Sequence, residues 1–518
     1  MQALNTANPI QRTRIWHPLA FAVQPILALY AANNTLISPH ALIRPTLVLV
    51  LGTLLLWIVL RLILRSNEKS ALLTSLLVFG FFFWGHFVDR IIPTAQASHT
   101  TLYFIGYCIV LLGLVAAICL LKSTRASTKF FHVAGGMLLL FALVSLAIGS
   151  AQSTKEIGIR HSTKRARAWD AVNIAQTNKR DVVVILLDAY PRSDVLRDDY
   201  HVDNAPFLDA LSARGFNVSS NSLSNYDKTL WSVGSMLNGA YLDKFLPMGK
   251  TKSASLSALV DRFQHSRVFR LFSRHRYTLY AFETGFDNAD MRDSVNYFIR
   301  PHTWGTEFES LLIQMTPIPQ IYTKLSGNNF LYEKHRNRIH FVHDQVIDLA
   351  KRNSKSPRFI WTHMNLPHDP IIFDADGGPR QIRKLFMWGG LPPANLTWDE
   401  YAALYGEQLT YLHRLVLEML DAFLSQPPEK RPIIVLFSDH GAGNLPNGAG
   451  CADHFKNLCA VYVPPSMEWT PPEPMILVDL FPSIINMMAE PGAPISLSSE
   501  TRLYSVNWDH PYIADECE

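Results

Sequence analysis

The chain is expected to be an α/β protein in two unlike parts, a helical domain that spans a membrane and then a doubly wound α/β domain. Three observations predict this. Up to about Ser150 the sequence is nearly free of charge and carries apolar runs of bilayer length. Beyond it, short β-branched and aliphatic runs alternate with helical patterns, the order expected of strands joined by crossover helices. Several of those runs end in an acid or a histidine, where open α/β sheets collect ligands. The overall composition of the 518 residues, 48% hydrophobic with a mean hydropathy of +0.08, averages over this division. The expected domains are 1–150 in the membrane, a juxtamembrane linker over 151–180, and an exported domain over 181–518.

Four runs, Ile43–Leu64, Ala71–Val88, Leu102–Leu121 and Phe130–Ile148, have about the 20 residues that a helix needs to cross a bilayer. A fifth, Trp16–Ile37, is interrupted by Gln24, Pro25, Asn33 and Asn34, and competes with an interfacial or re-entrant segment. Arg12 and Arg14 precede no short apolar core with a small-residue cleavage site, so no cleavable signal peptide is expected. Arg12, Arg14, Arg65, Lys69, Lys122, Arg125 and Lys129 fall on one side, and the alternate loops hold little beyond Arg44 and Asp89–Arg90. The positive-inside rule then puts the N-terminus in the cytoplasm, and five crossings leave the chain after Ser150 outside. Lys155, Arg160, Lys164, Arg165 and Arg167 run against that rule, but a long following domain translocates regardless of such charge. They form either a solvated linker or a hold on anionic headgroups.

His86, near a helix end, reads as interfacial, and no row of intramembrane acids marks an ion pathway, which weighs against a transporter. The membrane part reads as an anchor and a lipid dock. A net charge of +4 is small for this length and implies no nucleic-acid partner. Five cysteines exclude a disulfide-dense scaffold. Cys108 and Cys119 lie in an apolar run, Cys451 and Cys459 are placed to pair in an oxidising compartment, and Cys517 is left over.

In the second part, Asp181–Asp188 reads as a strand buried on both faces, ending in an acid and a turn, Ala189-Tyr190-Pro191-Arg192. A helix over Pro206–Arg214 stops at Gly215. Next comes Asn225–Asn238, with Asp227 as helix N-cap and Thr229 in the first turn. There, free N–H groups and the helix dipole stabilise an alkoxide or a phosphate, although most such threonines merely satisfy backbone. Tyr277–Phe282 is a second strand, and Phe298–Lys324 reads as a packed surface excursion or, alternatively, a patch touching the bilayer. After a helix over Phe330–Arg352, the strand Arg358–Met364 leads to a turn held by two prolines and flanked by His363 and His368. An amphipathic helix over Leu404–Leu424 precedes the strand Ile433–Phe437, which delivers Ser438-Asp439-His440-Gly441. Cys459–Val463 is the last strand, with His454 just before it.

Asp188, Asp439 and His440 each follow a buried strand, so sheet geometry brings them to one edge. Two carboxylates and an imidazole suit a divalent metal such as zinc or manganese. A threonine oxygen added to them becomes a nucleophile, and Thr229 at its helix N-terminus is the candidate. Each signal alone is weak, since Asp-His-Gly after a strand is often only a turn. Three strand-end groups together are harder to explain by structure alone.

The order strand–Asp, nucleophile helix, Pro-His turn and Ser-Asp-His-Gly resembles that of the alkaline phosphatase and sulfatase superfamily, over roughly Asp181 to Pro464. Five spans followed by an exported domain look like the phosphoethanolamine transferases and, more distantly, the lipoteichoic acid synthases. In wording, DAYPRSDVL, DNAPFLDAL followed by RGF, the SNY-x-x-T-x-x-S-x-x-S-x-LN-x-x-YL run and PH-x-P are similar to a group of sulfatase-like membrane proteins. The resemblance implies an alkaline-phosphatase-like αβα sandwich. It makes Asp188, Asp439 and His440 metal ligands, Thr229 both nucleophile and fourth ligand, and His368 and His363 contacts of the transferred phosphate or its leaving group. His454 stands roughly where the last superfamily histidine does, in flanking sequence that does not fit, so one metal ion or two remain open. Thr229 is followed by Leu-Trp-Ser-Val, not the x-Pro-x-Arg of formylglycine sulfatases, which excludes their mechanism. Lys228 and Arg192 are candidates to neutralise phosphate oxygens, or are surface charges.

The expected function is transfer of a phospholipid headgroup, of phosphoethanolamine or phosphoglycerol type, to an exported glycan or lipid through a phosphothreonine. The donor would be a membrane phospholipid, the acceptor an envelope glycan or lipid, and the location a bacterial-type plasma membrane with the catalytic domain outside. The alternatives are a hydrolase of phosphate or sulfate esters using the same residues, and a non-catalytic scaffold.

Overall fold

The computed structural model describes residues 14–34, 37–91, 100–154, 164–242, 252–301, 305–380, 396–446, 449–492, 494–498 and 500–506. Arg12, Lys155, Arg160 and Cys517 lie outside these residues. The chain divides into two compact units, one of residues 1–150 with 308–321, the other of the remainder.

The first unit is built from α1 (His17–Asn33), α2 (Ile43–Leu64), α3 (Asn67–Ile91), α4 (Thr100–Leu120) and α5 (Arg125–Thr154). Among the described residues, four helices are long and apolar enough to cross a membrane, within Pro39–Leu64, Asn67–Phe87, Thr101–Leu120 and Arg125–Ile148. The weaker fifth run forms α1, 17 residues long with Pro25 inside it. Helices α2 and α4 turn aliphatic side chains such as Leu51, Leu55, Leu62, Ile109 and Leu112 outward, as lipid-facing helices do. His86 is exposed near the end of α3.

Residues 308–321 correct the expected surface excursion, because they pack into this membrane-helix unit. Phe308 and Leu312 join a core with Phe21, Ile26 and Phe82. The Gly85 amide in α3 donates to the Met315 carbonyl at 2.9 Å. A Cβ on Gly85 would lie 2.6 Å from Met315 Cα, so the close approach requires glycine. Arg44, at the start of α2, pairs with Glu309 through Nε and Oε1 at 2.5 Å and through a second contact between NH2 and Oε2.

The second unit carries a seven-stranded sheet in the order β2-β7-β6-β1-β5-β3-β4. The strands are β1 (Val182–Leu187), β2 (Phe216–Val218), β3 (Thr278–Phe282), β4 (Tyr297–Ile299), β5 (Arg358–Met364), β6 (Ile433–Phe437) and β7 (Cys459–Tyr462). Central β1 is parallel to both β5 and β6 and wholly buried, which explains its unbroken apolar sequence. Val182, Val184 and Leu186 enter one core with the helices Thr229–Asn238 and Leu477–Met488. Val183, Ile185 and Leu187 enter the other with Phe330–Lys351 and Trp398–Leu424, completing an αβα sandwich.

The sheet departs from an all-parallel doubly wound sheet at one side, where β7 runs antiparallel to β6 and β2 antiparallel to β7. The Trp398–Leu424 helix begins earlier than its hydrophobic pattern suggests because Thr397 and Glu400 form a reciprocal capping box. The expected Cys451–Cys459 pairing does not occur. Cys459 is a free thiol at the start of β7, where burial pushes its pKa up to about 12, whereas Cys451 is exposed and disulfide-bonded.

Candidate metal centre

Parallel strands deliver their C-terminal residues to one sheet edge, and here that edge is acidic. Asp188 follows β1, its amide donating to the Met364 carbonyl at 3.0 Å and its carbonyl accepting from the His368 amide at 3.1 Å. Asp439 and His440 follow β6. The ligand atoms of Asp188, Asp439 and His440 lie within 4.8 Å of one another, and all three residues are buried.

The hydrogen bonds sort the carboxylate oxygens into two kinds. Asp188 Oδ2 accepts from His363 Nε2 at 3.1 Å, and Asp439 Oδ1 accepts from the Ala189 amide at 3.1 Å. Asp188 Oδ1 and Asp439 Oδ2 are buried with no hydrogen-bond partner. Each faces His440 Nε2, at 3.8 Å and 3.5 Å respectively. His440 Nδ1 donates to the Gly441 carbonyl at 2.9 Å, which fixes the tautomer and leaves Nε2 with its lone pair. Two orphaned carboxylate oxygens and a bare imidazole nitrogen fit a divalent cation; without one, burying them together is costly.

Burial opposes ionisation of Asp188, but the imidazoles of His368, His363 and His440 outweigh it and hold the carboxyl well below the usual carboxylate range. Ala189, between Asp188 and Tyr190, has a left-handed φ of 58°. A non-glycine residue there stores roughly 1–3 kcal/mol of strain. Its amide is held by Asp439 and its carbonyl by the Tyr405 hydroxyl at 3.2 Å.

Thr229 is the first residue of its helix and partly exposed. The expected N-cap role of Asp227 is not observed. The cap position is Lys228, with no side-chain bond, because the Asp227 carboxylate instead accepts from the Val506 amide at 2.7 Å and the Ser505 hydroxyl at 2.8 Å. One turn along, Ser232 Oγ donates to the Asp439 carbonyl at 2.5 Å. Residues three apart share a helix face, so this bond turns the Thr229 side of the helix toward the β6 loop.

The remaining candidates fall into distinct settings. His368 Nδ1 donates to the Asp369 carbonyl at 2.8 Å and His454 Nδ1 to the Ala442 carbonyl at 2.7 Å, so both present a free Nε2 in the manner of His440. His363 differs, because its Nε2 is spent on Asp188. The Gly441 amide donates to the His454 carbonyl at 2.8 Å, and a Cβ there would lie 2.6 Å from both the Asp453 and Lys456 carbonyls. The glycine of Asp-His-Gly thus lets the loop carrying His454 approach. Arg192 is bidentate to Asp194 at 2.8 and 2.7 Å and also bonds the Ser222 carbonyl, so its charge is already taken up. Lys228 Nζ lies 3.7 Å from Asp227 and is partly exposed.

Three supporting residues escaped the sequence reading. Ser438 Oγ accepts from the Tyr190 amide at 2.7 Å and donates to the His440 carbonyl at 2.6 Å, bracing both strand ends. Asn457 bonds the Ser438 carbonyl and the Ser222 hydroxyl. Asp369 accepts from Tyr401 at 3.0 Å and Asn444 at 2.7 Å through Oδ2, leaving Oδ1 buried and unpartnered. Ser438 stood inside the motif that drew attention to Asp439; Asn457 and Asp369 gave no signal of their own.

No curated protein matches the chain. Among solved structures it is similar to the zinc complex of the C-terminal periplasmic domain of EcEptC from Escherichia coli, with 13% identity and a TM-score of 0.42, over 66% of this chain and 95% of that one. It is also similar to a phosphonate monoester hydrolase of Agrobacterium radiobacter, with 13% identity and a TM-score of 0.39, over 63% and 80%. A sulfatase-type structure from Bacteroides thetaiotaomicron VPI-5482 shows 14% identity and a TM-score of 0.38, over 63% and 77%. The Sulfatase family model matches residues 180–483, more than half of the chain, from just before β1 into the Leu477–Met488 helix. With that span enclosing Asp188, Thr229, Asp439 and His440, the chain belongs to the sulfatase family within the alkaline phosphatase and sulfatase superfamily.

Proposed function

We propose that the protein transfers a phospholipid headgroup, as a phosphodiester, from a membrane lipid to a hydroxyl of an envelope glycan or lipid. Family membership supports chemistry on phosphate or sulfate esters. The observation that carries the finer reading is the convergence of the unpartnered Asp188 Oδ1 and Asp439 Oδ2 on His440 Nε2, with the Thr229 helix bonded to Asp439 through Ser232.

Asp188, Asp439, His440 and Thr229 would hold a divalent cation, zinc or manganese, which supplies positive charge to stabilise oxyanions. Thr229 Oγ attacks the donor phosphorus in line; its bond to phosphorus forms as the bond to the diacylglycerol oxygen breaks. His368, through its free Nε2, moves the proton from Thr229 to the departing diacylglycerol. In the second half the acceptor hydroxyl gives its proton to His368 and attacks phosphorus, and the bond to Thr229 Oγ breaks as His368 passes that proton to the threonine oxygen. His454, its Nδ1–H anchored, is available to a phosphate oxygen. Lys228, partly exposed and 3.7 Å from Asp227, is a neighbouring cation for the same role.

The membrane setting agrees with a lipid donor. Arg44 at the start of α2 and Gly85 toward the end of α3 both meet residues 308–321, so these helix ends share one membrane face. An N-terminus in the cytoplasm, the orientation expected from the positive-inside rule, would put that face on the outer side. The disulfide at Cys451 fits an oxidising compartment.

The test is incubation of the purified full chain, loaded with zinc or manganese, with labelled phosphatidylethanolamine or phosphatidylglycerol, followed by mass spectrometry. A headgroup-phosphate adduct on Thr229 and release of diacylglycerol are expected, both lost in Thr229→Ala. Free phosphate or sulfate released from ester substrates without headgroup transfer would favour the hydrolase. Absence of divalent-metal binding would favour the scaffold.

A further inference from the structure

Among the described residues, the helix Ile318–Ser326 carries an apolar face that its neighbours leave largely uncovered. Ile318, Ile321 and Leu325 are 43%, 42% and 83% exposed. Their spacing puts them on one side of an α-helix, with Thr323 on the opposite side. Burying side chains of this kind is worth about 1.5–3 kcal/mol each, so three exposed together on one short helix call for an occupant.

Its neighbours in the chain identify that occupant. The preceding residues belong to the membrane-helix unit, where the Met315 carbonyl bonds the Gly85 amide of α3 and Glu309 pairs with Arg44 at the start of α2. Pro317, immediately before the helix, lines an apolar groove of about 500 Å³ with Val48, Gly52, Leu77, Phe81 and Tyr107. Val48 is 60% exposed, and Ile43 and Leu47 in the first turns of α2 are exposed to a similar extent. The apolar face of the Ile318–Ser326 helix therefore starts beside the lipid-facing surface of α2, at the level where that helix begins. On its flank, the Tyr322 hydroxyl bonds Glu333 at 2.6 Å and the ring packs on Phe330.

We infer that Ile318–Ser326 is an interfacial helix whose Ile318, Ile321 and Leu325 insert among the lipids of the leaflet at the Arg44 end of α2. Such a helix lies in the plane of the membrane with its apolar side in the acyl boundary and its polar side in water. Lys324 and Thr323 supply the polar side. The inference does not depend on the proposed chemistry, because it concerns where the chain meets the bilayer.

The test is nitroxide labelling of Leu325→Cys and, separately, Thr323→Cys in the full chain, with Cys108 and Cys119 replaced by alanine. The protein is placed in nanodiscs of phosphatidylethanolamine and phosphatidylglycerol. Collision of each label with oxygen, which concentrates in lipid, is compared with collision with a water-soluble nickel chelate. The Leu325 label is expected to favour oxygen and the Thr323 label the nickel chelate. Equal preference for nickel at both positions would overturn the inference, placing the face in water. Shielding of the Leu325 label from both reagents, with spin–spin broadening, would also overturn it and assign the face to a second copy of the chain. Both substituted positions are exposed, so loss of folding does not confound the reading.

Discussion

His363 Nε2 donates to Asp188 Oδ2 at 3.1 Å, and Asp188 Oδ1 is left buried and bare. One strand, β5, thus orients the carboxylate that its neighbour β1 delivers. Groups that orient metal ligands in this way typically cost 10–100-fold in metal affinity when removed. His363→Ala is expected to weaken zinc binding about 10–100-fold, measured by competition with a chromophoric chelator. His363→Gln, whose amide N–H can donate to the same oxygen, should recover part of the loss. Equal affinity in the alanine variant and the parent would remove His363 from the centre.

The two bare oxygens make opposite predictions with and without metal. Asp439→Asn keeps an acceptor for the Ala189 amide and removes one of two buried carboxylates that crowd each other. In chelator the variant should unfold at a higher temperature than the parent. Adding zinc at about 100 times the parent's dissociation constant should stabilise the parent by about 2.7 kcal/mol and the variant far less. Thermal unfolding of the detergent-purified chain reads both. A zinc response unchanged by the substitution would show that the centre does not hold the ion.

Gly85 gives a packing prediction within the membrane-helix unit. A Cβ there meets Met315 Cα at 2.6 Å, and the obstacle is backbone that cannot rotate away. Gly85→Ala should therefore lower stability by about 1–3 kcal/mol, the cost of overpacking, and loosen residues 308–321. Gly52, where an added Cβ would meet nothing within 4 Å, is the control, and Gly52→Ala should leave stability unchanged. Protease sensitivity near residue 315 and thermal unfolding together distinguish the two.

How much of this was legible in advance depended on how local each signal is. β1, β5 and β6 are buried on both faces, so their composition alone marks them, and Asp188, Asp439 and His440 follow from where those strands end. β2 and β4 have three residues each, too few for a period to show. Asp227 looked like a cap because its type and position suit one, yet Ser505 and Val506, far along the chain, claim its carboxylate. The same non-locality hid Asn457 and the docking of residues 308–321. Cys451 and Cys459 are near in sequence, but one lies on an exposed turn and the other inside the sheet.

Glu307 carries a prediction about pH away from the metal centre. Burial pushes its carboxyl up from 4.5 to about 7; the Asp287 amide opposes that shift and the Asp287 and Asp290 carboxylates add to it, with Arg338 in weak opposition. The Asp287 amide donates to Glu307 Oε2 at 2.5 Å. A carboxyl raised in the folded state binds more protons there than in the unfolded chain between these two values. Stability therefore falls as pH rises from about 4.5 to about 7, by roughly 2–3 kcal/mol if the whole shift is realised. Glu307→Gln keeps an acceptor for the Asp287 amide and has no proton to lose. It is expected to match the parent at pH 4.5, to be more stable above pH 7, and to flatten the slope between. Urea unfolding across that range measures it, and parallel curves for parent and variant would mean that Glu307 titrates normally.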